Sequence, residues 1–146
     1  MKIEPNKIEA KESTYLYVGE SQLANSGSGL YSAISIYKEE IIAIFKGKIL
    51  TPTRIKLRAK KNNDKYFISM LDGTIMDSMN TKCFAKYAND AQGFSHSTFK
   101  NNARIEVNIN EKVCLIASRN IQIGEEIFCG YGRRYWKNQT LFEEKI

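Results

Sequence analysis

Apolar and β-branched residues in this chain come in runs of only a few residues, each closed by glycine, proline or a polar turn pair, and that punctuation favours short strands over long helices. Thr14-Tyr15-Leu16-Tyr17-Val18 reads as a strand. Gly19, Asn25, Ser26, Gly27, Ser28 and Gly29 then break the regular backbone before a second strand. Ile41-Ile42-Ala43-Ile44-Phe45 is a further apolar run, stopped by Gly47 and Pro52, and Thr53 to Lys61 reads as one short basic helix after that proline. Tyr66 to Leu71 and Thr74 to Met76 flank Asp72-Gly73, a pair suited to the left-handed dihedrals of a tight hairpin turn. Ala103 to Val107 and Val113 to Ala117 flank Asn110-Glu111 in the same manner, and Gly124 introduces a last short strand over Ile127 to Cys129. The pattern predicts a mainly β domain with few short helices. A length of 146 residues suits one such domain, expected over 14–138 between tails at 1–13 and 139–146.

The hydrophobic share of 42% and the charged share of 26% are those of a globular protein. No apolar run approaches the roughly 20 residues that span a bilayer, so no membrane association is expected. The segment Met1 to Lys7 carries charge where an export signal would be apolar, which predicts a cytoplasmic or nuclear location. Three cysteines, Cys83, Cys114 and Cys129, lack C-x-x-C spacing and the only histidine is His96, so free thiols and a metal-free site are expected. The net charge of +6 is concentrated: Lys46, Lys48, Arg54, Lys56, Arg58, Lys60, Lys61 and Lys65 share a stretch in which Asp64 is the only acid. Such a block either contacts DNA or another anionic surface, here through Arg54, Lys56, Arg58, Lys60 and Lys61, or is a solvated face.

Two distant segments, Lys86-Tyr87-Ala88-Asn89-Asp90-Ala91 and Gly124-Glu125-Glu126-Ile127-Phe128-Cys129-Gly130-Tyr131-Gly132, stand out as parts of one site, and four stations can be marked along the chain: Ser26-Gly27-Ser28-Gly29-Leu30, Asp77 through Asn89, Asn102-Ala103 and Gly124 to Tyr131. In order and spacing these four stations resemble those of the SET-domain family of protein lysine methyltransferases: its G-x-G segment, its asparagine-bearing run, its P-N-C/A step and its G-E-E-L-x-x-D-Y segment. The resemblance extends from about Tyr15 to Trp136. It implies a β-clip fold of small curled sheets around a threaded C-terminal segment, and transfer of methyl from S-adenosylmethionine to a deprotonated lysine amine of a protein substrate, histones being the best-known case.

By the same resemblance Tyr131 is the catalytic tyrosine, its hydroxyl aimed at the methyl or sulfonium region. Ser26, Gly27, Ser28 and Gly29 would bring backbone close to the cofactor, Asn89 would bond its amino-acid end, Asp90 and Tyr135 would lie near the adenine, and Tyr66 beside the cofactor. Phe45 and Cys129 would line the lysine channel. Each has a plainer alternative: Tyr131, Tyr66 and Phe45 as core aromatics, Asn89 as a turn cap, Cys129 as an inert buried thiol. The chain departs from the family pattern with Asp90 for histidine, Ala91 for serine, Lys86 for arginine, Lys82-Cys83 for Gly-Asn and Gly130 for aspartate, and with an insert around Gln92 to Phe99. Those departures keep two further readings open, a catalytically weak SET-like binding module and a basic nucleic-acid-binding β domain.

Overall fold

The computed structural model describes residues 6–24, 26–61, 67–69, 74–92, 98–108 and 112–130. In chain order its elements are α1 (Glu12–Tyr15), β1 (Leu16–Glu20), β2 (Ser28–Ser32), β3 (Ile41–Ile44), β4 (Lys48–Leu50), α2 (Pro52–Lys60), β5 (Phe67–Ser69), β6 (Ile75–Asp77), a 3₁₀ turn (Ala85–Tyr87), β7 (Ala103–Val107), β8 (Val113–Ala117) and β9 (Glu126–Ile127). They form three small antiparallel sheets, as expected for a mainly β fold. The chain divides into two compact units, one with described residues 6–45 and 84–130, the other with described residues from 46 to 83.

In the first unit β8 is the central strand of the sheet β3-β8-β7, and all five of its residues are buried. A strand covered on both faces reads as an unbroken apolar run, as Val113-Cys114-Leu115-Ile116-Ala117 does. The second sheet, β1-β2-β9, pairs Leu30 with Ile127 and Tyr31 with Glu126, so the glycine-bearing segment lies directly against the Gly124 segment. Thr14 and Tyr15 correct the expected first strand: they close the helical turn α1, and the strand begins at Leu16. The turn buries Tyr15, whose hydroxyl donates to the Ile42 carbonyl at 2.6 Å. Burial first, then Glu12 and Glu40, push this phenol well above its ordinary range. Part of the segment expected to be a tail pairs with the sheet: Lys7 bridges Ile41, and the Ile41 amide donates to the Asn6 carbonyl at 2.9 Å.

The second unit holds the sheet β4-β6-β5 and α2. β5 and β6 pair as the expected hairpin, Ile68 opposite Met76; its turn, Asp72-Gly73, lies outside the described residues. Pro52 opens α2 and the Thr51 hydroxyl accepts from the Arg54 amide at 3.3 Å, which caps one otherwise unpaired donor. Ile55 of α2 packs on Ile75 and Leu50. The three cysteines are buried and form no disulfide. Among the described residues no helix is long and apolar enough to cross a membrane.

Because Leu115 is fully buried and Ile49 is 55% exposed, truncation should separate them. Leu115→Ala is expected to cost about 2–5 kcal/mol in urea denaturation, and Ile49→Ala less than about 1 kcal/mol. Equal losses would mean that β8 is not the packing centre.

Candidate functional site

Chain crossing in the first unit begins with a single asparagine. Asn89 follows the 3₁₀ turn Ala85–Tyr87, and its side-chain amide donates to the Ser28 carbonyl of β2 at 2.8 Å. Its own carbonyl accepts from the Cys129 amide at 2.9 Å, within a parallel bridge to Phe128. One residue thus ties the glycine segment to the segment that ends the described chain. Asn89 Oδ1 has no hydrogen bond among the described residues.

Asn102 completes the crossing. Fully buried, it donates from Nδ2 to the Glu126 carbonyl at 2.9 Å and accepts from the Phe128 amide at Oδ1 at 2.8 Å. The amides of Asn102 and Ala103 both donate to the Phe128 carbonyl at 3.0 Å. Four sequence stations separated by up to a hundred residues therefore meet at one junction. Leu23, Ala91 and Phe128 pack beneath it, with Phe99 against Phe128 at a ring separation of 5.4 Å.

Glu126 is buried with its carboxylate engaged: Oε2 accepts from the Ser21 hydroxyl at 2.7 Å, and Oε1 accepts from the Gln22 amide at 2.7 Å and from the Tyr31 hydroxyl at 3.2 Å. Burial, then the charge of Glu126, raise the Tyr31 phenol, which keeps it a donor. The carboxylate fixes the turn between β1 and β2 from inside, and a Cβ at Gly29 would collide with it. Gly27 differs: it sits at φ +66 with nothing within 4 Å of where a Cβ would stand, so the backbone there is open to close approach.

Asp90 holds the chain at the start of the insert. Its Oδ1 accepts from the Gln92 amide and from Asn101 Nδ2, each at 2.9 Å, while Asn101 Oδ1 accepts from the Ala91 amide at 2.8 Å and Gln92 Oε1 from the Asn101 amide at 2.9 Å. Cys129 is fully buried, and that burial, then the Asp90 carboxylate, push its thiol far above the usual range. It is a neutral packing group at physiological pH. Phe45 is buried past the end of β3 and belongs to the central sheet through the hydrogen bond that its amide donates to the Val113 carbonyl at 2.9 Å.

Ser26, Gly27, Ser28, Gly29, Asn89, Asp90 and Cys129 thus gather around the junction, whereas Phe45 is positioned by the β3–β8 pairing. Tyr66, Tyr131 and Tyr135, like His96, lie outside the described residues. Sequence reasoning missed the supporting roles of Ser21, Asn101, Asn102 and Glu126. Asn102 and Glu126 stood within two of the stations, but nothing there marked them as buried supports; of the adjacent acids, Glu125 pairs with Arg119 at 2.8 Å while Glu126 is enclosed.

A family model for the SET domain matches residues 27–132, and the chain belongs to that family. No curated protein matches the chain. Among solved structures it is similar to a humanized mutant of the Chaetomium thermophilum polycomb repressive complex 2 bound to the inhibitor GSK343, at 23% identity and a TM-score of 0.66, over 80% of this chain and 15% of that one. It is similar also to an active polycomb repressive complex 2 in the basal state, at 22% identity and a TM-score of 0.66, over 80% of this chain and 15% of that one. A third likeness, to apo ctPRC2 carrying two substitutions, has 24% identity and a TM-score of 0.68, over 84% of this chain and 16% of that one. At these identities the likeness is one of fold, and the chain spans about a sixth of the neighbours' length.

Gly29→Ala should destabilise by about 1–3 kcal/mol through overpacking against Glu126. In a double-mutant cycle with Glu126→Ala the two losses should fall short of additivity by at least about 0.5 kcal/mol; strict additivity would mean that the carboxylate does not occupy this space. Native stability should also fall as pH rises above about 8.5, because the unfolded chain releases the Cys129 proton there while the folded chain retains it, leaving fewer protons bound in the unfolded state. Iodoacetamide at pH 8.5 should modify Cys129 only after denaturation, and rapid labelling of the folded protein at that residue would contradict its burial.

Proposed function

We infer that this chain is an S-adenosylmethionine-dependent protein lysine N-methyltransferase. The observation that carries the reading is the Asn89 crossing, in which one side chain and its backbone join Ser28 to Cys129 and so gather the family's stations in one place. The residues present fit a methionine-like group. Gly27 leaves backbone exposed on its open side, Asn89 Oδ1 is unengaged among the described residues, and neutral amide and carbonyl groups match an ammonium and a carboxylate without adding net charge.

S-adenosylmethionine, when bound, supplies a methyl group activated by a positively charged sulfonium. Ser26 to Gly29 and Asn89 would hold its amino-acid end, with Asp90 and Tyr135 near the adenine and Tyr66 beside the cofactor. A lysine amine with a pKa near 10.4 costs about 4–5 kcal/mol to present neutral at pH 7. Desolvation by apolar channel walls, to which Phe45 and Cys129 contribute, lowers that cost and lets the proton leave to solvent. Tyr131 would orient the transfer through its hydroxyl oxygen. Holding the two reactants in a fixed relative orientation would supply roughly 7–11 kcal/mol of the barrier. The small Cys129 side chain, neutral and unreactive, leaves space for an amine that already carries methyl groups. Histones lead the candidate substrates by family resemblance, which would place the chain in the nucleus when it acts on them.

The competing reading, a SET-like module that binds without turnover, draws on Lys82-Cys83, Asp90 and Gly130. One experiment divides the two. At a hundredfold excess over its dissociation constant S-adenosylmethionine should stabilise the protein by about 2.7 kcal/mol, roughly 5–10 °C in Tm. Asn89→Ala should abolish that shift. Tyr131→Phe should keep it while lowering methylation of a histone panel, measured with labelled cofactor, by at least about tenfold. Loss of the shift in the unmodified chain would reject the cofactor, and an unchanged low turnover in Tyr131→Phe would favour the binding module.

A further inference from the structure

The second unit carries a charged face that methyl transfer does not use. Among the residues 46–61 there are seven Lys or Arg, Lys46, Lys48, Arg54, Lys56, Arg58, Lys60 and Lys61, and no acid. Among the described residues Arg58 alone within α2 is neutralised, by Asp77 at 2.7 Å, and it is held further by the Met79 sulfur at 3.0 Å. Arg54, Lys56, Lys60 and the capping Lys61 are exposed and make no ion pair among the described residues.

Their arrangement around the helix selects the partner. At about 3.6 residues per turn, Ile55 faces the sheet, and the opposite crest carries Thr53 and Leu57. Arg54 and Lys61 flank the crest on one side, along a concavity of about 400 Å³ lined by Arg54, Leu57, Arg58 and Lys61. Lys56 and Lys60 flank it on the other. Cations on both shoulders of an exposed helix suit a ligand that presents two rows of negative charge with the helix between them. A helix with its side chains is about 10–12 Å across, and the major groove of B-form DNA, bordered by two phosphate strands, is about 12 Å wide. An acidic peptide would need one basic stripe rather than two. We propose that α2 docks in the major groove of duplex DNA through phosphate contacts from Arg54, Lys56, Lys60 and Lys61. The crest residues Thr53 and Leu57 offer no bidentate base contact, so the binding is independent of base sequence. This inference stands apart from the methyltransferase reading and needs neither cofactor nor turnover.

Fluorescence anisotropy of the full chain with labelled 20-base-pair duplexes tests it. Four phosphate contacts give a slope of about −3.6 in log K against log salt, roughly a 150-fold loss of affinity between 50 and 200 mM salt. Two unrelated DNA sequences should bind equally, and duplex RNA, whose deep and narrow major groove excludes a helix, at least tenfold more weakly. Reversing Arg54, Lys56, Lys60 and Lys61 to Glu should abolish binding, and the same four changed to Gln, which keep helix propensity and add no repulsion, should weaken it at least thirtyfold. Lys11→Glu with Lys38→Glu, exposed sites in the other unit, should leave it within about twofold. Circular dichroism on each variant ensures that the comparison is between folded proteins. The proposal is overturned if the glutamine variant binds like the parent, if duplex RNA binds as tightly as DNA, or if polyglutamate displaces the duplex at equal charge concentration.

Discussion

A buried side-chain amide replaces a neighbouring strand at the centre of the first unit. Asn102 donates to one backbone carbonyl of the Glu126–Phe128 segment and accepts from the next amide but one, the pairing that a peptide group on an adjacent strand would make. The segment needs it because β9 is only two residues long and crosses between elements instead of lying in a continuous ladder. Unpaired backbone groups so fully enclosed would cost about 1–3 kcal/mol each. Asparagine is the shortest side chain that carries both a donor and an acceptor in one plane. Aspartate lacks the donor, and leucine, of similar volume, lacks both.

From that anchor the rest of the junction follows outward. With Phe128 and Cys129 fixed, Asn89 has a backbone edge to bridge, and its side chain reaches the Ser28 carbonyl. Glu126, on the same short strand, turns its carboxylate toward the β1–β2 turn and satisfies Ser21, Gln22 and Tyr31 together. A buried carboxylate is costly unless it is so supplied with donors. Two of its three partners, Ser21 and Gln22, come from the very turn that exposes Gly27, and the third, Tyr31, from β2, so the group that rigidifies the hairpin also presents its open edge. The conformational cost of ordering that edge is met by folding, before any ligand arrives.

Much of this was legible in the residues. The paired runs Ala103–Val107 and Val113–Ala117 are strands with the expected bounds because β8 has apolar neighbours on both faces and period and propensity agree. Pro52 marked the start of α2 because a proline without an amide hydrogen suits a helix's first turn. Tyr15 was misread because β propensity favours a strand there, while the bond from its hydroxyl to Ile42, twenty-seven residues away, dictates a helical turn. Tertiary contacts of that kind leave no local trace. The four stations were visible as spacing; Asn102 and Glu126 were not visible as structural elements, since a polar residue in sequence gives no sign that its partners are backbone groups far along the chain.

The hydrogen bonds among Asp90, Gln92 and Asn101 have a consequence for how this protein varies. They hold the two ends of the insert together at its rim. Doubling the length of a flexible loop costs only about 0.6 kcal/mol once its ends are fixed, less than a typical hydrogen bond contributes. Insertions, deletions and even a grafted peptide can therefore enter between Gln92 and Phe99, whose ring packs on Phe128, with Asn89 on one side and Asn102 on the other left in register. Diversification is cheap at this rim, one or two residues from the groups that must not move.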